Sequence, residues 1–286
     1  MSAVQLIECP RDAWQGYPIR VSTEVKVRYL TALLKVGFHT LDAGSFVSPK
    51  AVPQMQDTAE VLAQLPYQAY PETGILVIVA NRRGLEQAVA HPAVRYVGYP
   101  LSLSETFQRQ NTRQTRAEAE AFVDELVAYT QASGKVPVVY LSMGFGNPYG
   151  DPYDPEEVIE VGARLRAKGV PILSLADTVG VATPEAVYET LRAAIQAVPE
   201  VQWGVHLHAA PQEARAKIEA AWEAGCRRFD SALGGHGGCP FAGVPLVSNL
   251  PTEAVIAFLQ EKKALPPLRT FALIEAQALL PQAFPA

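Results

Sequence analysis

The chain has 286 residues, of which 49% are hydrophobic and 19% are charged, and its formal net charge is -5. This balance excludes an intrinsically disordered chain, and the scattered basic residues argue against a nucleic-acid partner. No apolar run approaches the roughly 20 residues that a membrane helix needs. The three widely spaced cysteines favour a reducing compartment over a disulfide framework, and the N-terminus lacks the features of a signal peptide. We therefore expect a cytoplasmic protein with no nucleic-acid or membrane partner.

Short β-rich runs alternate with longer helical patterns along the chain. The β-rich runs lie near residues 4–9, 39–43, 74–80, 95–99, 136–142, 170–176, 201–208 and 227–231. The helical segments have clear starts, such as the capping box formed by Thr115 and Glu118. Eight strands that alternate with helices predict an α/β fold, a (β/α)8 TIM barrel. The main alternative is an open doubly wound sheet, which the absence of a G-x-G-x-x-G motif after the first strand makes weaker.

No linker divides the sequence into two large parts. We therefore expect residues 1–286 to form a single barrel domain, since one barrel often needs about 250 residues. Residues 262–286, which include Pro266-Pro267, are predicted to be a short C-terminal helical extension with a final apolar helix around 268–280.

Polar side chains fall where the predicted strands end, and in a TIM barrel this is the face that carries function. Turn and capping roles explain some of them, such as Ser142, but not an Arg-Asp pair or two histidines on one strand. The residues at or just beyond these ends are Arg11, Asp12, Asp42, Ser45, Asn81, Ser142, Asp177, Thr178, His206, His208 and Asn249.

The H-x-H pattern of His206 and His208 is the strongest local signal. Alternate residues of a strand point to the same side, so both imidazoles face the barrel mouth and can share a cation with Asp12. The carbonyl oxygen of Asn249 is a further candidate ligand. This donor set favours Mg²⁺ or Mn²⁺ with open positions for substrate, whereas zinc is the rival because it prefers histidine. The alternative without chemistry is a pair of structural histidines.

A glycine-rich segment at 234–238 leads to Cys239. Glycine loses the most entropy when it is ordered, so this segment is predicted to be a tight turn or a lid that carries Cys239 to the site. A plain connector with a buried cysteine is the alternative. Arg11, next to Asp12, fits either a cation that stabilises developing negative charge or a structural ion pair.

These residues resemble the motifs of the 3-hydroxy-3-methylglutaryl-CoA lyase family. The similarity runs from about residue 4 to residue 260, and its most specific segments are S-F-V-S-P-K at 45–50 and V-P-Q-M at 52–55. The resemblance implies a metal-dependent lyase that splits 3-hydroxy-3-methylglutaryl-CoA, an acyl-CoA substrate, into acetyl-CoA and acetoacetate, a reaction of leucine degradation. We further expect a homo-oligomer, a dimer.

The resemblance also implies roles for individual residues. The magnesium or manganese ion is held by Asp12, His206, His208 and Asn249. Arg11 stabilises the enolate of the departing acetyl-CoA, and Cys239 assists proton transfer from a closing lid loop formed by Gly237, Gly238 and Cys239. Asp42 and His206 complete the expected catalytic set. Substrate contacts are expected from Arg11, Gln15, Ser45, Asn81 and Thr178.

The sequence departs from the family pattern in four places. Ala13-Trp14 replaces Gly-Leu, Asp42 replaces a glutamate, and residues 209–212 replace Asp-Thr-x-Gly after the second histidine. His236 replaces an apolar residue and is a candidate acid or base. These departures support two alternatives: a related lyase or condensing enzyme that acts on a different 3-hydroxy acid or acyl-CoA, and a non-catalytic barrel that binds a metal or ligand.

Overall fold

A closed barrel of eight parallel strands forms the centre of the computed structural model, which describes residues 3–238 and 247–285. The strands are β1 (Gln5–Glu8), β2 (Thr40–Phe46), β3 (Gly74–Val79), β4 (Val94–Ser102), β5 (Val136–Ser142), β6 (Ile172–Asp177), β7 (Gln202–Leu207) and β8 (Arg228–Ser231). They follow one another around the barrel in chain order, and β1 pairs with both β2 and β8. The (β/α)8 prediction is confirmed, and the open sheet is excluded.

Helices follow the strands and surround the barrel. They are α1 (Pro10–Gln15), α2 (Thr23–Val36), α3 (Thr58–Gln64), α4 (Arg82–Ala90), α5 (Glu105–Thr112), α6 (Arg116–Ala132), α7 (Pro155–Ala167), α8 (Pro184–Ala197), α9 (Pro211–Glu223), α10 (Thr252–Glu261), α11 (Thr270–Ala278) and α12 (Leu280–Ala283). The predicted capping box opens α6, where the Thr115 hydroxyl accepts from the Glu118 N–H at 3.1 Å. Among the described residues, none of the helices is both long enough and apolar enough to span a membrane.

Three element boundaries differ from the prediction near the site, and one of them is the end of β4, which lies at Ser102 and not at residue 99. The first strand ends at Glu8, and Arg11-Asp12 lie in α1 instead of at the strand end, because Pro10 occupies the first helical turn. The second strand continues to Phe46, three residues beyond the predicted end. All of its residues are buried, and its pairing with β3 shifts register between Asp42 and Gly44.

The C-terminal extension packs against the helix that carries Arg11 and Asp12. The predicted final helix is divided into α11 and α12, since a proline in the first turn of α12 cannot continue the preceding helix. The indole Nε1 of Trp14 donates to the carbonyl of Ala283 at 3.0 Å, and the Phe284 ring stacks on Trp14 with centroids 6.1 Å apart. The extension therefore supports α1 from outside the barrel.

The apolar core has one large part and two small ones. The large one lies between the strands and the helices around them. One small part comes from one face of β3 to β6 and contains Leu76, Ile78, Tyr96, Val138, Tyr140 and Ile172. The other contains Phe107, Met143 and Val179. Cys9 and Cys226 are buried free thiols.

Candidate active site

A cavity of about 340 Å³ lies at the carboxyl ends of the strands. The predicted site residues in its wall are Arg11, Asp12, Gln15, Asn81, Thr178, His206 and His208. Four other charged or aromatic residues of the wall, Lys50, Phe107, Arg113 and Tyr140, are not among the predicted site residues. The structure thus brings most of the predicted set into one chamber.

Asp12, His206 and His208 form a compact group of possible metal ligands at the base of this cavity. The Asp12 Oδ2 atom lies 3.8 Å from Nε2 of His206 and 4.0 Å from Nε2 of His208. The two Nε2 atoms are 3.3 Å apart. Donor atoms at these separations can surround one small cation at the usual bond lengths of about 2.0–2.2 Å.

The chemistry of this donor set fits a divalent cation. The Nδ1 atom of His206 lies 3.2 Å from Oδ2 of Asp230, a contact that places the ring proton on Nδ1 and leaves the Nε2 lone pair directed towards His208. Two imidazole nitrogens that face each other in a buried place need a proton or a cation between them. A carboxylate beside them makes a cation the better match.

The carboxylate of Asp12 is held in its ionised form. Burial raises its pKa, but the charges of Arg11, His206 and His208 and the hydrogen bond from Asn249 outweigh burial and lower the pKa to about 2. Burial together with neighbouring His206 lowers the pKa of His208 to about 4. An anionic carboxylate and a neutral imidazole are the forms that bind metal.

Asn249 lies next to this group, although its amide is turned away from the predicted ligand geometry. The Nδ2 atom donates to Asp12 Oδ2 at 2.9 Å and to the carbonyl of His236 at 2.9 Å. Binding a cation through Oδ1 would require this amide to rotate. A Cβ atom at Gly237, where φ is +112°, would lie 2.3 Å from Asn249 Nδ2. This contact explains why position 237 is occupied by glycine.

Asp230 supports the histidine pair and was missed by the sequence reasoning. It lies on β8 and joins His206 to Arg228, whose Nη1 atom donates to Asp230 Oδ1 at 2.8 Å. Such a carboxylate fixes the tautomer and the orientation of a ligating imidazole. The available signal was the alternation of two charged residues, 228 and 230, within a short strand that is otherwise suited to burial.

The guanidinium of Arg11 is fixed in place by three neighbours. Its Nε and Nη2 atoms donate to the Asp42 carboxylate at 2.6–3.2 Å, and Nη1 donates to Asp12 at 3.1 Å and to Gln15 Oε1 at 2.9 Å. Burial raises the pKa of Asp42 to about 6, although Arg11 opposes the rise. Asp42 does not line the cavity, so it reaches the site through Arg11.

The predicted substrate-binding residues differ in their placement. Asn81 caps α4, where Oδ1 accepts from the Gly84 N–H at 3.0 Å, and Thr178 Oγ1 accepts from the Met143 N–H at 2.9 Å. Both also line the cavity. Ser45 does not line it, because its strand turns this buried side chain away, and its hydroxyl has no hydrogen-bond partner among the described residues.

His236 is not placed as the candidate acid or base that the sequence suggested. Its ring stacks on Phe284 with a centroid distance of 4.1 Å and an interplanar angle of 9°, and it does not line the cavity. Gly237 and Gly238 both have left-handed φ values, of +112° and +139°. The predicted lid residue Cys239 lies outside the described residues.

Comparison with known proteins identifies the family. The model of the HMGL-like family matches residues 3–280. The chain belongs to this family. Among HMGL-like relatives, the hydroxymethylglutaryl-CoA lyase of Bos taurus mitochondria is 35% identical over 281 residues, which cover 98% of this chain and 85% of the relative. A cytoplasmic 3-hydroxy-3-methylglutaryl-CoA lyase of Rattus norvegicus is 33% identical over 90% of this chain and 74% of the relative.

Solved structures agree with this placement in the HMGL-like family. The HMG-CoA lyase of Brucella melitensis superposes with a TM-score of 0.91 at 30% identity and covers both chains completely. The HMG-CoA lyase of Acinetobacter baumannii, solved with coenzyme A and 3-methylmalate, gives a TM-score of 0.90 at 31% identity and covers 99% of this chain and 91% of that one. These relatives are enzymes, which counts against the non-catalytic alternative.

Proposed function

We propose that this chain cleaves 3-hydroxy-3-methylglutaryl-CoA to acetyl-CoA and acetoacetate. The observation that carries the proposal is the joint placement of Asp12, His206, His208 and Arg11 in one cavity of an HMGL-like barrel. We also propose that the whole chain is one catalytic domain and that it acts as a homodimer in the cytoplasm.

The reaction breaks the bond between C2 and C3 of the acyl chain. The proton of the tertiary hydroxyl leaves, C3 becomes the ketone of acetoacetate, and the electron pair of the broken bond forms the thioester enolate. Protonation of C2 then gives acetyl-CoA. A protein that catalyses this step must accept one proton, stabilise an enolate and deliver one proton.

Asp12, His206, His208 and Asn249 are the residues that would hold a magnesium or manganese ion. When bound, such an ion supplies a Lewis acid that makes a hydroxyl more acidic and fixes neighbouring carboxylate oxygens. Arg11, whose Nη1 atom lies 3.1 Å from Asp12, places a permanent positive charge beside this position. Because its other nitrogens are held by Asp42, the guanidinium is oriented before an enolate forms.

A variant of His206 tests whether this residue accepts the hydroxyl proton of the substrate. Its Nε2 atom cannot bind a cation and accept the hydroxyl proton at the same time. In a His206→Ala variant, loss of cation affinity assigns the imidazole to the metal, whereas retained affinity with lost turnover assigns it to proton transfer.

Cys239, outside the described residues, is the proposed donor to C2, so Cys239→Ser should lower turnover and leave cation binding unchanged.

The same cavity has groups that suit a phosphate-bearing acyl carrier. Lys50, in the loop after β2, and Arg113, directly after α5, both line it. Cationic side chains bind phosphate oxygens by charge-assisted hydrogen bonds. The Acinetobacter baumannii relative binds coenzyme A and 3-methylmalate, which supports a coenzyme A thioester as the substrate of this chain.

The test is turnover by the purified protein. Acetoacetate formation from 3-hydroxy-3-methylglutaryl-CoA is measured with Mg²⁺ or Mn²⁺, with EDTA as the control. Activity that depends on the cation supports the proposal. Absence of product from a protein that binds the cation would overturn it in favour of a different 3-hydroxy acid or acyl-CoA, the reading that the changes at residues 13–14 and 209–212 support.

A further inference from the structure

Lys217 makes a buried ion pair directly behind the histidine pair. It lies on α9 with 1% of its surface exposed, and its Nζ atom lies 2.8 Å from Asp177 Oδ2. The same ammonium donates to the carbonyl of His208 at 2.9 Å and to the carbonyl of Gly180 at 3.2 Å. All three donors of the ammonium therefore have an acceptor.

The partner Asp177 organises the loop that follows β6. Its Oδ1 atom accepts from the Val181 N–H at 2.9 Å, and its Oδ2 atom accepts from the Ala182 N–H at 3.2 Å. Thr178, in the same loop, lines the cavity. Lys217 thus links the loop after β6 to the end of β7, and both segments form part of the site.

The neighbouring sequence shows why this link matters. The two residues that follow His208 are Ala209 and Ala210, whose side chains cannot form hydrogen bonds. The carbonyl of His208 accepts a hydrogen bond from the ammonium of Lys217, nine positions later. A buried lysine loses its hydration, so an apolar residue would satisfy packing alone at a smaller cost.

We infer that Lys217 is a positioning residue that holds the backbone of His208 so that its imidazole remains directed at the cation. This inference rests on the proposed function for the identity of the cation ligands. It predicts that removing the ammonium weakens cation binding even when the barrel remains folded.

The experiment compares two lysine variants in the purified full chain. Lys217→Met removes the ammonium and keeps the length of the side chain. The matched control is Lys26→Met, because Lys26 also forms a buried ion pair, with Asp57 at 2.7 Å, but lies on α2 away from the histidines. The affinity for Mn²⁺ is measured by calorimetry in the absence of substrate, and the melting temperature is recorded for each protein.

A positioning role predicts that Lys217→Met binds Mn²⁺ about 10–100-fold more weakly than the unmodified chain, as expected for loss of a group that orients a ligand. Lys26→Met should lower the melting temperature but change the affinity less than twofold. Lys217→Arg, which retains a cationic donor, should recover most of the affinity. Equal Mn²⁺ affinity in folded Lys217→Met and the unmodified chain would overturn the inference.

If Lys217→Met does not fold, the Mn²⁺ affinity of Asp177→Asn tests the inference. This variant keeps the shape of the acceptor and removes the charge that holds the ammonium, and it should weaken Mn²⁺ binding at least fivefold. An unchanged affinity would again contradict the inference. Because no turnover is measured, the result is independent of the acetoacetate assay, and failure of the proposed reaction would not be mistaken for failure of the positioning role.

Discussion

Replacing Glu8 by glutamine should stabilise the protein in a way that grows with pH. Glu8 ends β1 and is fully buried. Its carboxyl accepts from the Leu233 N–H at 2.8 Å and from the Thr252 hydroxyl at 2.6 Å. These bonds join β1 to the start of the glycine-rich segment and to α10. Burial raises the pKa of Glu8 from its ordinary value of 4.5 to about 8, although both hydrogen bonds oppose the rise.

The size of the effect follows from this pKa. Between pH 4.5 and about 8, the folded protein retains a proton on Glu8 that the unfolded chain has lost. The stability from this group is therefore fully present below pH 4.5 and decreases as the pH rises towards 8. Each pH unit changes the free energy of unfolding by about 1.4 kcal/mol, so the loss is about 3 kcal/mol at pH 7 and about 5 kcal/mol above pH 8. Glutamine has no such loss.

Urea unfolding at pH 5, 7 and 9 measures the difference. The Glu8→Gln variant should match the original chain within about 1 kcal/mol at pH 5 and exceed it by several kcal/mol at pH 9. The exposed Glu60→Gln is the control and should show no trend. A difference between Glu8→Gln and the original chain that does not change with pH would refute the reasoning.

Three further predictions concern the site. Arg11→Lys should lower kcat about 100-fold or more, because an ammonium cannot keep the paired contacts of the guanidinium; kcat within a few-fold of normal would contradict this. Asp230→Asn should weaken Mn²⁺ binding about 10–100-fold, because the His206 imidazole loses the carboxylate that orients it. An unchanged Mn²⁺ affinity by calorimetry would show that Asp230 does not orient His206 for the cation. Phe284→Ala should cost about 3 kcal/mol in urea unfolding and move the lowered pKa of His236 back towards its ordinary value by NMR titration. An unchanged His236 titration would show that the stacking does not bury the ring.

Most of the barrel could be predicted because its elements are marked locally. Periodicity identified every strand within a few residues, and capping residues marked some of the helix starts, such as that of α6. Of the errors near the site, one came from tertiary context and another from a local signal that was overlooked. The end of β2 looked like a loop because Ser45 is polar, yet a strand of a closed barrel is buried on both sides and need not alternate. Residues 10–15 looked like a strand end, although a proline at the first helical position was visible.

Site residues were predicted where their types or spacing are unusual. They were missed where their role depends on a partner that is distant in the sequence. His206 and His208 stand out because they alternate on one strand. Lys217 lies on the buried side of α9, between Ala214 and Ile218, and a lysine there was a usable signal. Its partner Asp177 is 40 positions away, so only the folded chain reveals what the ammonium contacts.

The contact between Trp14 and the C-terminal segment has a consequence for how the molecule is assembled. The hydrogen bond from Trp14 to Ala283 joins residues 269 positions apart, and that between Asn249 and Asp12 spans 237. Contacts of such long sequence separation form late, since the intervening loop must close first. During synthesis, the contact between Asp12 and Asn249 can therefore form only after nearly the whole chain has been made. Cation uptake by a refolding chain should accordingly be among the last events, and its rate would report completion of the barrel.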